Sequence, residues 1–359
     1  MSISKSDMKI LIAAGGTGGH IFPAINLAKG LLEQDVKDVY FLTSSRSQDA
    51  MMLEGSNVEF FTVSIEPLQR KGIIPFLNFL FRLITGSLRS AYLLLKIRPV
   101  CVVGFGGYVT GPIMLFASMC RIKTIIHEQN VLPGKTNRIL ARFVSRIAVS
   151  FPETVKYLED FSSKIIVTGN FLRSETMKPF DKKDESGFRL LVMGGSQGSH
   201  ALNSVLPEAL GLIGKENRFD FEVIHITGYK DKDEVESSYR NNAIKSTVLS
   251  FTDEMDRFYN ICDFVVSRAG ATTISELIYL KKPALLIPYP YGDRHQVFNA
   301  KVLEDMGCGV IMEEEDLNID ILKKAIMNFM DKDFLKSMSK KVEKKDRDAL
   351  GTLIKEIIA

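Results

Sequence analysis

Apolar residues along this chain gather in short runs, and between the runs they recur at helical spacing. KILIAAG (9–15), DVYFLTS (38–44), VCVVGFG (100–106), KTIIHEQ (123–129) and SRIAVSF (145–151) are rich in β-branched residues and too short for helices. Such near-continuous apolar runs predict strands covered on both faces, as in a parallel sheet. Stretches such as INLAKGLLEQ (25–34) lie between them and read as amphipathic helices. The alternation predicts successive βαβ units.

The pattern breaks at KPFDKKDESG (178–187), which is charged, holds a proline and has no apolar period. It restarts with RLLVMGG (189–195), FEVIHITG (221–228), STVLSF (246–251), CDFVVSRAG (262–270) and PALLIPYP (283–290). We therefore expect an N-terminal domain over 1–177, a linker over 178–187 and a C-terminal domain over 188–359. From Leu317 onward the chain reads as amphipathic, lysine-rich helix, and its last helix is expected to pack back on the N-terminal domain. The fold class is α/β, with two Rossmann-like domains facing across a cleft. In open parallel sheets ligands sit beyond the carboxyl ends of the strands, so the polar blocks at those ends are the candidate site.

Six such blocks stand out. Gly15-Gly16-Thr17-Gly18-Gly19-His20 follows the first strand, and its helix is expected to start near Ile21 with Pro23 in the first turn. Glycines admit close ligand approach, and the helix start favours phosphate-like anions. A dinucleotide fingerprint is a weak reading here, because Ile21 stands where its third glycine is needed and no carboxylate ends the second strand. His20 is either a capping side chain or a functional one. Gly104 to Pro112 forms a second glycine loop. His127-Glu128-Gln129-Asn130 ends a strand, followed by Gly134, Lys135, Thr136 and Asn137; a Walker motif fails because Gln129 replaces its first glycine, and a metal site needs more ligands than His127 and Glu128. Gly194-Gly195-Ser196-Gln197-Gly198, with Asn203 beyond, opens the second half. In Ser267 to Leu277, Gly270 precedes a helix whose N–H groups near Ala271 and Thr272 suit a diphosphate; Glu276 is either a ribose ligand or a favourable helix-start charge. Asp293-Arg294-His295-Gln296, with Asn299, closes the series.

Composition narrows the class. The 359 residues are 45% hydrophobic and 25% charged, ordinary for two globular domains. A net charge of +3 argues against nucleic acid as a partner. Cys101, Cys120, Cys262 and Cys308 show no CxxC spacing and read as reduced thiols, which suits a cytoplasmic setting. The first ten residues lack the apolar core of a secretory signal. The stretch from Ile73 to Ile97 is strongly apolar but interrupted by Arg82, Arg89 and Lys96, so it is expected to meet a membrane surface or a core, not to span.

Together and in this order, from about residue 9 to residue 310, the blocks resemble the MurG family of peptidoglycan glycosyltransferases. The resemblance implies the GT-B fold and inverting transfer of N-acetylglucosamine from UDP-N-acetylglucosamine to lipid I, giving lipid II and UDP. It implies that Thr17, Gly18 and Gly19 lie against sugar and diphosphate, that Asn130 holds sugar hydroxyls, and that Arg173 and Ser196 contact the nucleotide. Backbone at Thr252 would read the uracil, Ala271, Thr272, Thr273 and Glu276 would cover diphosphate and ribose, and Gln296 would meet the sugar, with Arg268 near the phosphates. Gly106, Tyr108, His127 and Asn137 would form the acceptor side. His20 is the preferred base, with Glu128 or His127 as alternatives. No metal or cofactor is expected. The resemblance further implies a peripheral place on the cytoplasmic face of the bacterial inner membrane, an anionic membrane surface contacted by the region from Ile73 to Ile97, and other wall-synthesis and division proteins as partners. Two positions depart from the family's pattern: Phe171 stands where proline is usual, and Thr252 where an apolar branched residue is usual. The competing readings are a GT-B transferase with another acceptor, a UDP-N-acetylglucosamine epimerase and a non-catalytic nucleotide-binding protein.

Overall fold

Seven strands form the first sheet: β1 (Lys9–Ala13), β2 (Asp38–Ser44), β3 (Glu59–Val63), β4 (Cys101–Gly104), β5 (Lys123–Glu128), β6 (Arg146–Val149) and β7 (Ile165–Val167). Their spatial order is β3-β2-β1-β4-β5-β6-β7 and every pairing is parallel. The computed structural model describes residues 4–54, 56, 58–65, 72–172, 187–195, 197–217, 220–343 and 348–359. Much of the expected linker, Arg173 and Ser196 lie outside the described residues.

Strand β1 shows why these runs are apolar throughout. Ile10, Ile12 and Ala14 enter one core, Leu11 and Ala13 the other, and all five are fully buried. Both faces of the sheet are covered, so the two-residue alternation of a half-exposed strand is lost. Helices α1 (Gly18–Glu33) and α13 (Ala349–Ile358) cover the first face; α3 (Ile73–Ile97), α4 (Thr110–Met119) and α5 (Lys135–Leu140) contribute to the second. Helix α2 (Ser47–Leu53) follows β2. Chain contacts divide the molecule into two compact units, Met1–Phe171 with Arg347–Ala359, and Leu172–Asp346. Helix α13 therefore packs with the first unit. Leu350 and Ile354 lie against Gly30 of α1, and Lys123 Nζ donates to Glu356 O at 2.5 Å.

The second unit repeats the plan. Strands β8 (Phe188–Met193), β9 (Phe221–Ile226), β10 (Lys245–Leu249), β11 (Phe264–Ser267), β12 (Ala284–Leu286) and β13 (Gly309–Ile311) form a parallel sheet in the order β10-β9-β8-β11-β12-β13. Its helices are α6 (His200–Asn217), α7 (Lys232–Asn241), α8 (Met255–Ile261), α9 (Ala271–Leu280), α10 (His295–Asp305), α11 (Ile319–Phe329) and α12 (Lys332–Lys341). In each sheet the strand order reverses once, between β1 and β4 and between β8 and β11. Such a switch point opens a crevice at the carboxyl ends of the two strands.

Two details differ from the sequence reading. Helix α1 begins at Gly18, not near Ile21, so Gly18 and Gly19 form its first turn behind an extended Thr17. Three strands, β3, β7 and β13, were not among those expected; they are five, three and three residues long and each is a sheet edge. An edge strand pairs on one side only and needs less continuous apolar cover.

Candidate active site

In the first unit the loops after β1 and β4 flank the switch point and lie back to back. A Cβ on Gly107 would fall 2.4 Å from Gly15 O, and Gly107 has φ +84°, so only glycine fits there. His20 stands at this contact, half-buried in the first turn of α1. Its Nδ1 lies 3.1 Å from Gly15 O and 3.3 Å from Thr17 Oγ1. A carbonyl only accepts, so the neutral ring is assigned its proton on Nδ1. The Nε2 lone pair then faces Gly106, where an added Cβ would sit 3.1 Å away. A neutral imidazole with its basic nitrogen at a switch-point crevice is equipped to take a proton. Thr17, Gly19 and Tyr108 are exposed beside it, and Gly18 is buried. Thr110 pins the second loop by donating to Gly106 O at 2.7 Å.

The block after β5 proves to be a folded polar core. Glu128 is buried and its carboxylate accepts from Asn130 N (2.9 Å), Gly134 N (3.0 Å) and Asn137 Nδ2 (2.8 Å). Both oxygens are thus engaged in shaping the 129–137 loop. His127 is fully buried, in ring contact with Phe105 and Phe171. Burial pushes its pKa down to about 4, and Gln129 Nε2 lies 3.1 Å from its Nδ1. His127 is thus enclosed beneath the loop and supports it from inside. Asn137 is likewise buried, and its Nδ2 group donates to the Glu128 carboxylate and to His127 O, which ties the loop together. Asn130 is the partly exposed member of the group. Phe171, the departure from the family's usual proline, is the ring that covers His127.

In the second unit the glycine loop after β8 is equally tight. A Cβ on Gly198 would lie 2.0 Å from Thr227 O. Asn203 fastens the loop by donating to Thr227 O (2.9 Å) and Asp231 Oδ2 (2.8 Å), while its Oδ1 lies 3.0 Å from His225 Nε2. Burial pushes the His225 pKa down to about 3, which keeps this support neutral.

Helix α9 follows β11 with Gly270 as its N-cap. Ile274 N is bonded to Gly270 O, so the N–H groups of Ala271, Thr272 and Thr273 precede the helical ladder and form an anion-favouring end. Gln296 of α10 accepts from Ala269 N (3.1 Å) and Tyr289 N (3.0 Å) through Oε1, leaving its Nε2 group for a ligand. Glu276 lies in the second turn of α9, buried, with Tyr259 donating to its Oε2 at 2.8 Å. Thr252 accepts the Glu254 N–H on its hydroxyl, so its side chain organises its own turn. Arg268 is held within its own unit. Its guanidinium donates to Ile287 O, Pro288 O and the Glu314 carboxylate, and it is almost fully buried. A buried cation requires such partners, so Arg268 is a strut between strand ends and its charge is already balanced. Sequence reasoning missed Asp49 of α2 and Arg46 just before it, which hold the first glycine loop, and Ser44 at the end of β2, which bonds Asp49; a carboxylate five residues beyond a strand-ending serine is a faint signal.

Residues 10–149 match the Glycosyltransferase family 28 N-terminal domain and residues 189–353 the family 28 C-terminal domain. The chain is 38% identical to the UDP-N-acetylglucosamine--N-acetylmuramyl-(pentapeptide) pyrophosphoryl-undecaprenol N-acetylglucosamine transferase of Anaeromyxobacter dehalogenans strain 2CP-C, covering 90% of this chain and 85% of that protein. It is 34% identical to the transferase of the same name from Geobacter sulfurreducens, covering 98% of both chains. The crystal structure of Acinetobacter baumannii MurG superposes with a TM-score of 0.80 at 26% identity, covering 98% of this chain and 99% of that one. With both halves matched and these relatives covering most of its length, the chain belongs to glycosyltransferase family 28 and, within it, to the MurG transferases.

Proposed function

We propose that this chain transfers N-acetylglucosamine from UDP-N-acetylglucosamine to lipid I, the undecaprenyl-pyrophosphoryl-N-acetylmuramoyl-peptide, giving lipid II and UDP. The geometric observation that carries the mechanism is the His20 ring, fixed through Nδ1 with Nε2 at the switch point of the first sheet. The acceptor hydroxyl attacks the anomeric carbon as the bond to UDP breaks, and the configuration inverts. His20 Nε2 takes the hydroxyl proton. The three leading N–H groups of α9 receive the diphosphate, Glu276 the ribose and Gln296 the sugar. Within the first unit, Thr17, Gly18 and Gly19 lie beside His20, and Gly106 and Tyr108 belong to the loop that faces it.

This arrangement offers the departing diphosphate oriented backbone dipoles, which need no divalent cation to act. Transfer to a soluble lipid I analogue is therefore expected to proceed at an unchanged rate in excess chelator. Activity lost in chelator and restored by magnesium or manganese would overturn that part of the reading. Release of free N-acetylmannosamine in place of a disaccharide product would instead identify an epimerase.

Helix α3 gives the acceptor's lipid a natural setting. Ile73, Ile74, Phe76, Leu77, Phe81, Ile84, Leu88 and Leu95 are exposed, beside exposed Arg82, Arg89 and Lys96. The buried positions of the helix are confined to Gly86, Ser90, Leu93, Leu94 and Ile97, so its first half is not an ordinary core helix. No helix among the described residues is long and apolar enough to cross a membrane. Apolar side chains mixed with cations suit the interface of an anionic bilayer, on the cytoplasmic face where lipid I would be met. Replacing Phe76 and Phe81 together by serine is expected to cut co-sedimentation with anionic vesicles several-fold and to spare turnover on a soluble acceptor. Undiminished vesicle binding by the folded variant would remove α3 from the interface.

A further inference from the structure

Helix α2 lies outside every glycine block, yet it grips the first one. Asp49 sits in its first turn with its side chain buried. Asp49 Oδ2 accepts the Gly16 N–H at 2.8 Å and the Ser44 hydroxyl at 2.6 Å. Arg46, just before the helix, donates from Nη1 to Gly16 O at 3.3 Å. Gly16 has φ +91°, and glycine has little conformational preference of its own, so these two anchors define its orientation.

The bond accepted by Asp49 matters because of what lies across the same peptide. The N–H of Gly16 and the C=O of Gly15 belong to one planar amide. Asp49 holds its N–H, and its oxygen lies 3.1 Å from His20 Nδ1. The order is carboxylate, peptide, imidazole. A negative charge on the N–H side polarises the amide and makes its oxygen a stronger acceptor. It also fixes the plane of that oxygen, and with it the ring.

We infer that Asp49 is a positioning residue for His20, acting through the Gly15–Gly16 peptide to hold the imidazole in its Nδ1–H tautomer and to stabilise the imidazolium that forms when Nε2 takes a proton. Ser44 keeps the carboxylate aimed. A Cβ on Gly15 would meet Asp49 Oδ2, Ser44 N and Val109 Cγ2, each at 3.3 Å, so the contact is close on this side of the peptide.

This inference rests on His20 being the base, and the test separates the two ideas. Turnover on a soluble lipid I analogue is measured for Asp49→Asn, His20→Ala and the double variant, with thermal unfolding of each. Asp49→Asn is expected to lower kcat about ten-fold, the order of one charge-assisted hydrogen bond. The acid limb of its pH–rate profile is expected to move to lower pH, because the imidazolium has lost its stabiliser. In the His20→Ala background the same change is expected to cost less than about two-fold, since there is no ring left to position. Asp49→Glu is expected to recover part of the loss. An equal cost in both backgrounds, or a wild-type profile for Asp49→Asn, overturns the inference; a near-normal His20→Ala removes the base itself. Should Asp49→Asn fail to fold, Ser44→Ala carries the same cycle at smaller amplitude.

Discussion

Replacing His20 by alanine is expected to lower turnover by about a hundred-fold or more, with a much smaller change in the apparent donor constant. General-base catalysis contributes about 10²–10⁴-fold when the base is held in position. His20 is held: Nδ1 is placed against the Gly15 carbonyl, and Gly106 and Gly107 bring the second loop against the first where no side chain fits. The donor's phosphates would be met by backbone N–H groups that the substitution leaves intact, so binding suffers less than chemistry. Single-turnover rates with saturating donor isolate the effect from product release. A folded His20→Ala protein with turnover close to wild type would take His20 out of the mechanism. Glu128 and His127, buried in the neighbouring loop, would then be the next groups to vary.

Glu276→Ala is expected to weaken UDP binding by at least about ten-fold and to abolish discrimination against 2′-deoxy-UDP. Glu276 lies in the second turn of the helix whose first turn would hold the diphosphate, the right reach for a ribose. Its Oε2 accepts from Tyr259, which orients the carboxylate from behind. Hydrogen bonds to a charged group contribute about 1.5–3 kcal/mol each, and the variant loses them with both ribose hydroxyls. Calorimetric titration of UDP and 2′-deoxy-UDP against both proteins gives the comparison. Tyr259→Phe is a useful companion, since it removes the orienting bond and leaves the carboxylate. If folded Glu276→Ala still prefers UDP as strongly as wild type does, the carboxylate belongs to the Tyr259 contact alone.

The central strands were legible because burial on both faces writes itself into the sequence as uninterrupted apolar residues, as at Ile10 to Ala14 and at Phe264 to Val266. Three of the four edge strands were not: β7 and β13 are three residues long, and in β3 Glu59 is exposed and Phe60 to Thr62 only partly covered, so the signal thins. Glycine loops were legible as a composition, but their partners were not. Nothing near Arg268 in sequence announces Glu314, and nothing near Gly16 announces Asp49; both contacts exist only after the sheet is assembled. Polar clusters deceive for a related reason. His127, Glu128 and Asn137 resemble a reactive group on paper, yet folding turns them toward one another. A buried charge surrounded by local N–H groups is a loop's scaffold as readily as it is a reagent.

The return of α13 to the first unit sets an order for biogenesis. Ala349, Leu353, Ile354 and Ile357 complete the core that α1 begins more than three hundred residues earlier, and Glu356 meets Lys123 and Arg146 at β5 and β6. During vectorial synthesis residues 172–346 emerge before that helix does. The second unit is continuous in sequence, whereas the first is closed only by contacts that span the whole of the second. Synthesis that proceeds from the amino end usually favours the leading domain. Here the unit that starts first cannot be completed until α13 has been made, so the apolar flank of α1 stays uncovered until then.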